Sequence, residues 1–146
     1  MKKVLYLLLV VLISTGFVFC KKKKTELDAK PLVNTYWELA EIENVPIQKS
    51  PKTPYLLFTP DSKFNGNLGC NLCFGEYFAG KKKISLDYMG ATKRYCSDMN
   101  VENQFTSAMK KEITHFSIDH DTLRLLNKKV EILRFIATDS VKLGID

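Results

Sequence analysis

The side chains in this sequence best suited to nucleophilic or metal chemistry are three closely placed cysteines, Cys70, Cys73 and Cys96, followed by His115 and His120. Cys70-x-x-Cys73 with Cys96 and one histidine would give zinc four soft ligands. The C-x-x-C pair alone would suit a redox couple, a chemistry that favours a thiol at a helix N-terminus, where the dipole lowers its pKa. Here the pair lies between two segments that alternate like strands. In an exported protein the default fate of such cysteines is a disulfide. Other constellations are thin. His115 alternates with Phe116 and Ile118 and so points outward, and His120 falls in a turn. No Gly-rich phosphate loop follows a strand, and no nucleophile elbow or placeable carboxylate pair is visible. The sequence therefore nominates no catalytic residue, metal site or cofactor, and the expected class is non-enzymatic; a zinc- or thiol-dependent activity at the cysteine cluster is the alternative.

Whether those cysteines meet an oxidising compartment depends on the N-terminus. Lys2 and Lys3 precede an apolar run over residues 4–13, and the small polar group Ser14-Thr15-Gly16 follows. That is the layout of a signal peptide. The run is too short for the ~20 helical residues that span a hydrocarbon core. The apolar stretch closes at Cys20, directly before Lys21 to Lys24. This junction resembles the lipobox of bacterial lipoproteins, which implies cleavage before Cys20 and acylation of that residue. Two or three acyl chains, at ~0.8 kcal/mol per buried CH₂, would anchor the chain stably. Cleavage after Gly16 is the alternative, because Phe19 stands where the lipobox pattern has a small residue.

Charge placement narrows the partners. The sequence carries 22 basic and 16 acidic residues, a net +6. Clustered lysine and arginine would suit phosphate backbones. Lys2 and Lys3 leave with the signal, however, and Lys21 to Lys24 belong to a tether, which leaves 16 basic residues against 16 acidic ones. Nucleic acid is therefore not an expected partner. The tether lysines suit anionic head groups at ~1 kcal/mol each, or serve as a plain solvated spacer.

The elements that must position the cysteines follow from periodicity. Residues 1–19 read as signal and 20–31 as tether. Residues 32–137 form one domain with a single modest core, and residues 138–146 form a frayed tail. Period-two alternation predicts strands at Tyr36 to Ile42, Tyr55 to Phe58, Phe64 to Leu68, Phe74 to Phe78 and Ile84 to Tyr88. Three more follow around Phe116 and Ile118, Leu123 and Leu125, and Val130, Ile132 and Ile136. Between Ser97 and Ile113 the spacing turns helical through Val101, Phe105, Ala108 and Met109, with Asn100 as the N-cap and Glu102 in the first turn. Gly66, Gly69 and Gly75 lie in or beside strands, where glycine marks a bulge or tight bend. Asn71 tolerates left-handed geometry and bonds its own backbone, so Gly69-Cys70-Asn71 reads as a structured turn.

Trp37-Glu38-Leu39, the stretch from Phe64 through Gly69-Cys70-Asn71 to Gly75-Glu76-Tyr77, and Ala91-Thr92-Lys93-Arg94-Tyr95-Cys96 with Glu102 and Phe105 resemble the META domain family, which includes HslJ-like bacterial lipoproteins. Its motif positions here are Gly69, Cys70, Asn71, Gly75, Tyr77, Thr92 and Cys96; Cys73 departs from the pattern. The resemblance implies an α+β, mainly β fold: a strongly bent antiparallel sheet or cracked barrel with one packed helix. It also implies a role in the cell envelope or stress tolerance, acting from the outer membrane through a lipid anchor and an envelope protein or lipid partner. It implies no known reaction. Between Cys70 and Cys96 a disulfide would close a loop of about 27 residues, worth ~3 kcal/mol in the chain-entropy picture. A bond from Cys70 to Cys73 would close a tiny strained ring, whereas residues across a meander can meet at the ~5.5 Å Cα separation a disulfide prefers. Cys73 is left as the odd thiol.

Overall fold

The computed structural model describes residues 29–145, so the expected signal segment and the Cys20 junction lie outside the described residues. The described residues form β1 (Tyr36–Ile42), β2 (Val45–Pro46), β3 (Tyr55–Phe58), β4 (Lys63–Asn67), β5 (Leu72–Ala79), β6 (Ile84–Ala91), α1 (Asn100–Met109), β7 (His115–Asp119), β8 (Thr122–Asn127), β9 (Val130–Thr138) and α2 (Ser140–Leu143). One sheet runs β6-β5-β4-β3-β1-β9-β8-β7, with β2 paired to β1 and every strand pair antiparallel. Its outer strands curl towards each other: Lys83 bridges His115, and the Phe116 N–H donates to the Lys82 carbonyl at 3.0 Å. The fold is thus α+β and mainly β, a cracked barrel joined at one end of the β6/β7 seam.

Alternation explains which side of each strand faces in. On β5, Cys73, Gly75 and Tyr77 are buried while Leu72, Phe74, Glu76 and Phe78 are exposed. On β1, Trp37 and Leu39 are buried, and β3 contributes Leu56 and Phe58. Three single-residue bulges bend the sheet. Ala40 is the extra residue on β1, Met89 on β6 and Ile132 on β9. A bulge raises local twist, which is what lets an open sheet curl. It also changes the phase of the strand. The alternation of Val130, Ile132 and Ile136 predicts one inward row, but beyond the bulge Leu133 and Phe135 are the fully buried residues and Val130 is 64% exposed. On the same ladder Arg124 and Arg134 are direct neighbours. Two like charges there would repel; Glu131 lies between them, 3.4 Å from Arg124 and 2.6 Å from Arg134, and Glu41 takes the other side of Arg134 at 2.8 Å.

α1 covers the concave face with Val101, Phe105, Ala108 and Met109. The Phe105 ring lies 6.0 Å from that of Phe135, and Lys111 pairs with Glu43 beyond β1. Asn100 is the first helical residue rather than the N-cap. The cap position is Met99, and Asp98 Oδ1 accepts the Asn100 N–H at 2.9 Å. A side chain two residues upstream, in an Asx-type arrangement, has taken over that part of the cap's role.

The expected frayed tail is instead ordered. Thr138 pairs with Tyr36, Asp139 Oδ1 caps α2 by accepting the Lys142 N–H at 2.7 Å, and Gly144 closes it at φ 66°. Lys142 Nζ then reaches Glu38 at 2.7 Å. Asp139 and Gly144 are cap residues around a segment too short to show helical periodicity. At the other end the chain joins the domain slightly earlier than expected, since the Lys30 N–H donates to the His120 carbonyl and Thr35 Oγ1 to that of Pro31.

Phe105 joins the helix to the far side of the barrel. Phe105→Ala is expected to cost about 3–5 kcal/mol. Urea unfolding followed by the fluorescence of Trp37, the sole tryptophan and fully buried, would show it as a lower midpoint at unchanged slope.

Candidate functional site

The link between β4 and β5, residues 68–71, is buried throughout, and Asn71 is 1% exposed. A loop in that position must find partners for its polar groups inside the protein. Asn71 supplies most of them. Its Oδ1 accepts the Arg94 N–H at 2.6 Å and the Thr92 hydroxyl at 2.9 Å. Its Nδ2 donates to the Arg94 carbonyl at 3.0 Å and to Glu102 Oε1 at 2.7 Å. Its backbone N–H donates to Glu102 Oε2 at 2.8 Å, and its carbonyl accepts the Leu68 N–H at 2.8 Å. One amide thus ties the β4–β5 loop, the segment after β6 and the first turn of α1 together.

Gly69, Thr92 and the two motif cysteines brace this junction. Gly69 sits at φ +118°, where a side chain is strained, and a Cβ there would lie 3.3 Å from that of Ser50. Its N–H donates to Asn67 Oδ1 at 2.8 Å. Thr92 bonds in both directions, since its Oγ1 also accepts the Leu72 N–H at 3.1 Å. Cys70 and Cys96 form the expected disulfide at a Cα separation of 6.2 Å, and it fastens the end of the same segment. Gly75 and Tyr77 lie elsewhere, further along β5. A Cβ on Gly75 would meet the Asp87 carbonyl at 2.2 Å and the Phe64 ring at 2.5 Å, so glycine is what lets Phe64 fill the core. Tyr77 packs edge-on against Phe58, and its hydroxyl donates to the Thr59 carbonyl at 3.0 Å. Burial, then the nearby Asp61 charge, pushes that phenol up.

Cys73 points the other way from the disulfide, into the core, as the odd position on an alternating strand must. Burial pushes its thiol up to about 12 from an ordinary 9.0, with a further contribution from the Glu102 charge. The cysteines therefore do not assemble into a ligand set. Cys70 and Cys96 are bonded to each other, and Cys73 faces the core. His115 pairs with Leu126 on the β7–β8 ladder while His120 lies in the following turn at φ 56°. Among the described residues no three His, Cys, Asp or Glu groups come together as metal ligands. Glu102 is the contributor whose partner the sequence hid. A glutamate in a first helical turn reads as a response to the local helix dipole, whereas its carboxylate is spent on an asparagine 31 positions away.

A cracked β-barrel with one covering helix, braced by a buried asparagine and a disulfide, defines a small class of domains. A family model for the META domain matches residues 30–140, and the chain belongs to that family. Its fold is similar to that of a Burkholderia xenovorans protein solved by NMR, at 19% identity and a TM-score of 0.55, covering 73% of this chain and 83% of that one. A second NMR structure is similar at 17% identity and a TM-score of 0.51, covering 70% and 88%. A DUF4847 family protein from Bacteroides vulgatus ATCC 8482 overlaps 57% of each chain at 19% identity and a TM-score of 0.47. No match is found among curated proteins.

Three outcomes test these roles. Asn71→Asp removes two donors and turns a carboxylate towards Glu102, at an expected cost of about 2–4 kcal/mol at neutral pH; chemical denaturation would find part of that loss recovered on acidification, when the introduced carboxyl is neutral. Cys96→Ser should cost about 2–5 kcal/mol and lower the melting temperature of the oxidised protein, with little difference from wild type once both are reduced. The raised Cys73 pKa favours the native state below pH 9. As pH rises from 9 towards 12 the unfolded thiol ionises and the folded one does not, so stability falls. In Cys73→Ala that alkaline fall should be shallower, as paired denaturation curves would record.

Proposed function

We propose that the protein is a non-enzymatic, HslJ-like envelope lipoprotein, held at the outer membrane through a lipidated Cys20 and supporting envelope integrity or stress tolerance by binding a protein or lipid partner. The anchor rests on the sequence around Cys20, where an apolar stretch behind two lysines ends at a cysteine and four lysines follow at once. One observation carries the binding role. The polar motif residues spend their polar atoms on internal partners, Asn71 on Thr92, Arg94 and Glu102 and Tyr77 on Thr59, so the motif acts as a brace rather than as reactive chemistry. The segment it braces, bonded to Leu72 through Thr92, carries Tyr95 91% exposed, and β5 exposes Leu72 and Phe74. Exposed aromatic side chains on a braced backbone favour recognition, because aromatics are frequent anchors of binding surfaces.

The experiment is Cys20→Ser in the full chain, expressed in a bacterium that processes lipoproteins. Wild type is expected to incorporate labelled palmitate and to sediment with membranes, and the variant to do neither while keeping the wild-type melting temperature. Palmitate entering the variant, or unchanged sedimentation, would remove the lipoprotein reading.

A further inference from the structure

Two turns rich in lysine meet where the β6/β7 seam closes. The β5–β6 turn carries Lys81, Lys82 and Lys83, and the β8–β9 turn carries Lys128 and Lys129, all exposed. Thr114 holds the two turns on either side of itself. Its carbonyl accepts the Ile84 N–H, and its hydroxyl accepts the Lys128 N–H at 2.7 Å. None of the five lysines has an ion-pair partner among the described residues, whereas nearby Lys111 is neutralised by Glu43. Between the turns runs a groove of about 550 Å³ floored by Ile84 and Ile113 and edged by Phe78, Lys83, His115 and Lys128; Glu112 is the acidic residue on its wall. Phe78 is 78% exposed and Val130, beside Lys129, is 64% exposed.

We infer that this pole docks on a membrane surface bearing anionic phospholipid headgroups, with the lysines against the phosphates and Phe78 entering the boundary of the acyl region. The pattern fits that occupant. Lysines without carboxylate partners supply charge complementarity, and an exposed apolar residue on the same groove supplies the insertion that a purely ionic contact lacks. The inference deepens the lipid-partner side of the proposed function but needs no acyl group. The chain enters the domain at the other end of β7 and β8 from Thr114 and Lys128, where Lys30 bonds His120 in the β7–β8 turn. The ten residues 20–29 reach about 35 Å at full extension. The nine residues of β9 span roughly 30 Å from pole to pole. A tether of that length lets the lysine pole meet the membrane that holds Cys20, or leaves it facing a second bilayer.

The test uses the full chain with Phe78→Trp as reporter, Trp37 being buried and silent towards lipid. In vesicles of phosphatidylcholine with phosphatidylglycerol, brominated lipid should quench the reporter and its emission should shift to the blue. Phosphatidylcholine alone should give neither. Lys82→Gln with Lys128→Gln should weaken vesicle binding about twenty-five-fold, roughly five-fold per lysine, at an unchanged melting temperature. The same reporter in a Cys20→Ser chain should give the same quenching, and that arm separates this surface from the anchor. Loss of membrane sedimentation by Cys20→Ser with quenching retained keeps the inference whatever becomes of the lipoprotein reading. Equal quenching in neutral and anionic vesicles, or none in either, overturns it.

Discussion

Asn71 is a neutral amide almost wholly removed from water, and burying such a group without partners costs a few kcal/mol. Here each polar atom of the residue is bonded, to Leu68 in its own loop and to Thr92, Arg94 and Glu102 more than twenty positions away. The β4–β5 loop could not lie inside the protein without that exchange, because Leu68 and Cys70 bring their backbone amides with them when their side chains are buried. Only an asparagine meets all the demands at this point. Aspartate has no donor for Glu102, and a glutamine would carry the amide one bond too far. Much of the architecture around the loop follows from satisfying this one residue: Thr92 and Arg94 must pass it, and α1 must begin where Glu102 can reach back to it.

The disulfide and the amide restrain the same segment by different physics. Cys70 to Cys96 limits the unfolded chain, whereas the Asn71 network lowers the energy of the folded one. Neither could do its work on a flat sheet. The bulges at Ala40, Met89 and Ile132 curl the strands until Lys83 meets His115, and the resulting concavity gives Phe105 a surface to cover. Bend, helix and loop are thus one arrangement, and the core of Trp37, Phe58, Phe64, Phe105 and Phe135 fills the space they enclose.

Most of this fold was legible in the sequence because its strands alternate, and alternation is a local property. Leu72 to Ala79 and Tyr36 to Ile42 declare both strand and inward face. The bulges were not legible. One extra residue such as Ile132 reverses the facing of everything after it, and its presence depends on the partner strand. The helix start differs from the expected one for a similar reason: Asp98 and Asn100 are both able cap residues, and the path of the preceding loop decides between them. Of the site, the cysteine pair and the turn character of Gly69-Cys70-Asn71 could be read directly, since they rest on residue type. The bonds from Asn71 to Glu102 and Arg94 could not, because they are long-range. The ordered C-terminal turn is hidden in the sequence because four helical residues leave no period to detect, although Asp139 and Gly144 are cap-forming types.

Cys73 raises a problem that the fold also solves. A free thiol three positions from a disulfide invites exchange, and exchange proceeds through the thiolate. Strand alternation directs Cys73 into the core, away from Cys70, and burial holds its thiol at about 12. At neutral pH the buried thiol is held protonated and faces away from the disulfide, so attack on the Cys70–Cys96 bond requires β5 to open first. Opening β5 breaks its ladder with β4 and the bonds that fix Asn71 and Leu72. The integrity of the disulfide therefore depends on the strand it helps to secure, and a third cysteine in the domain is tolerated because the sheet places it on the inward face.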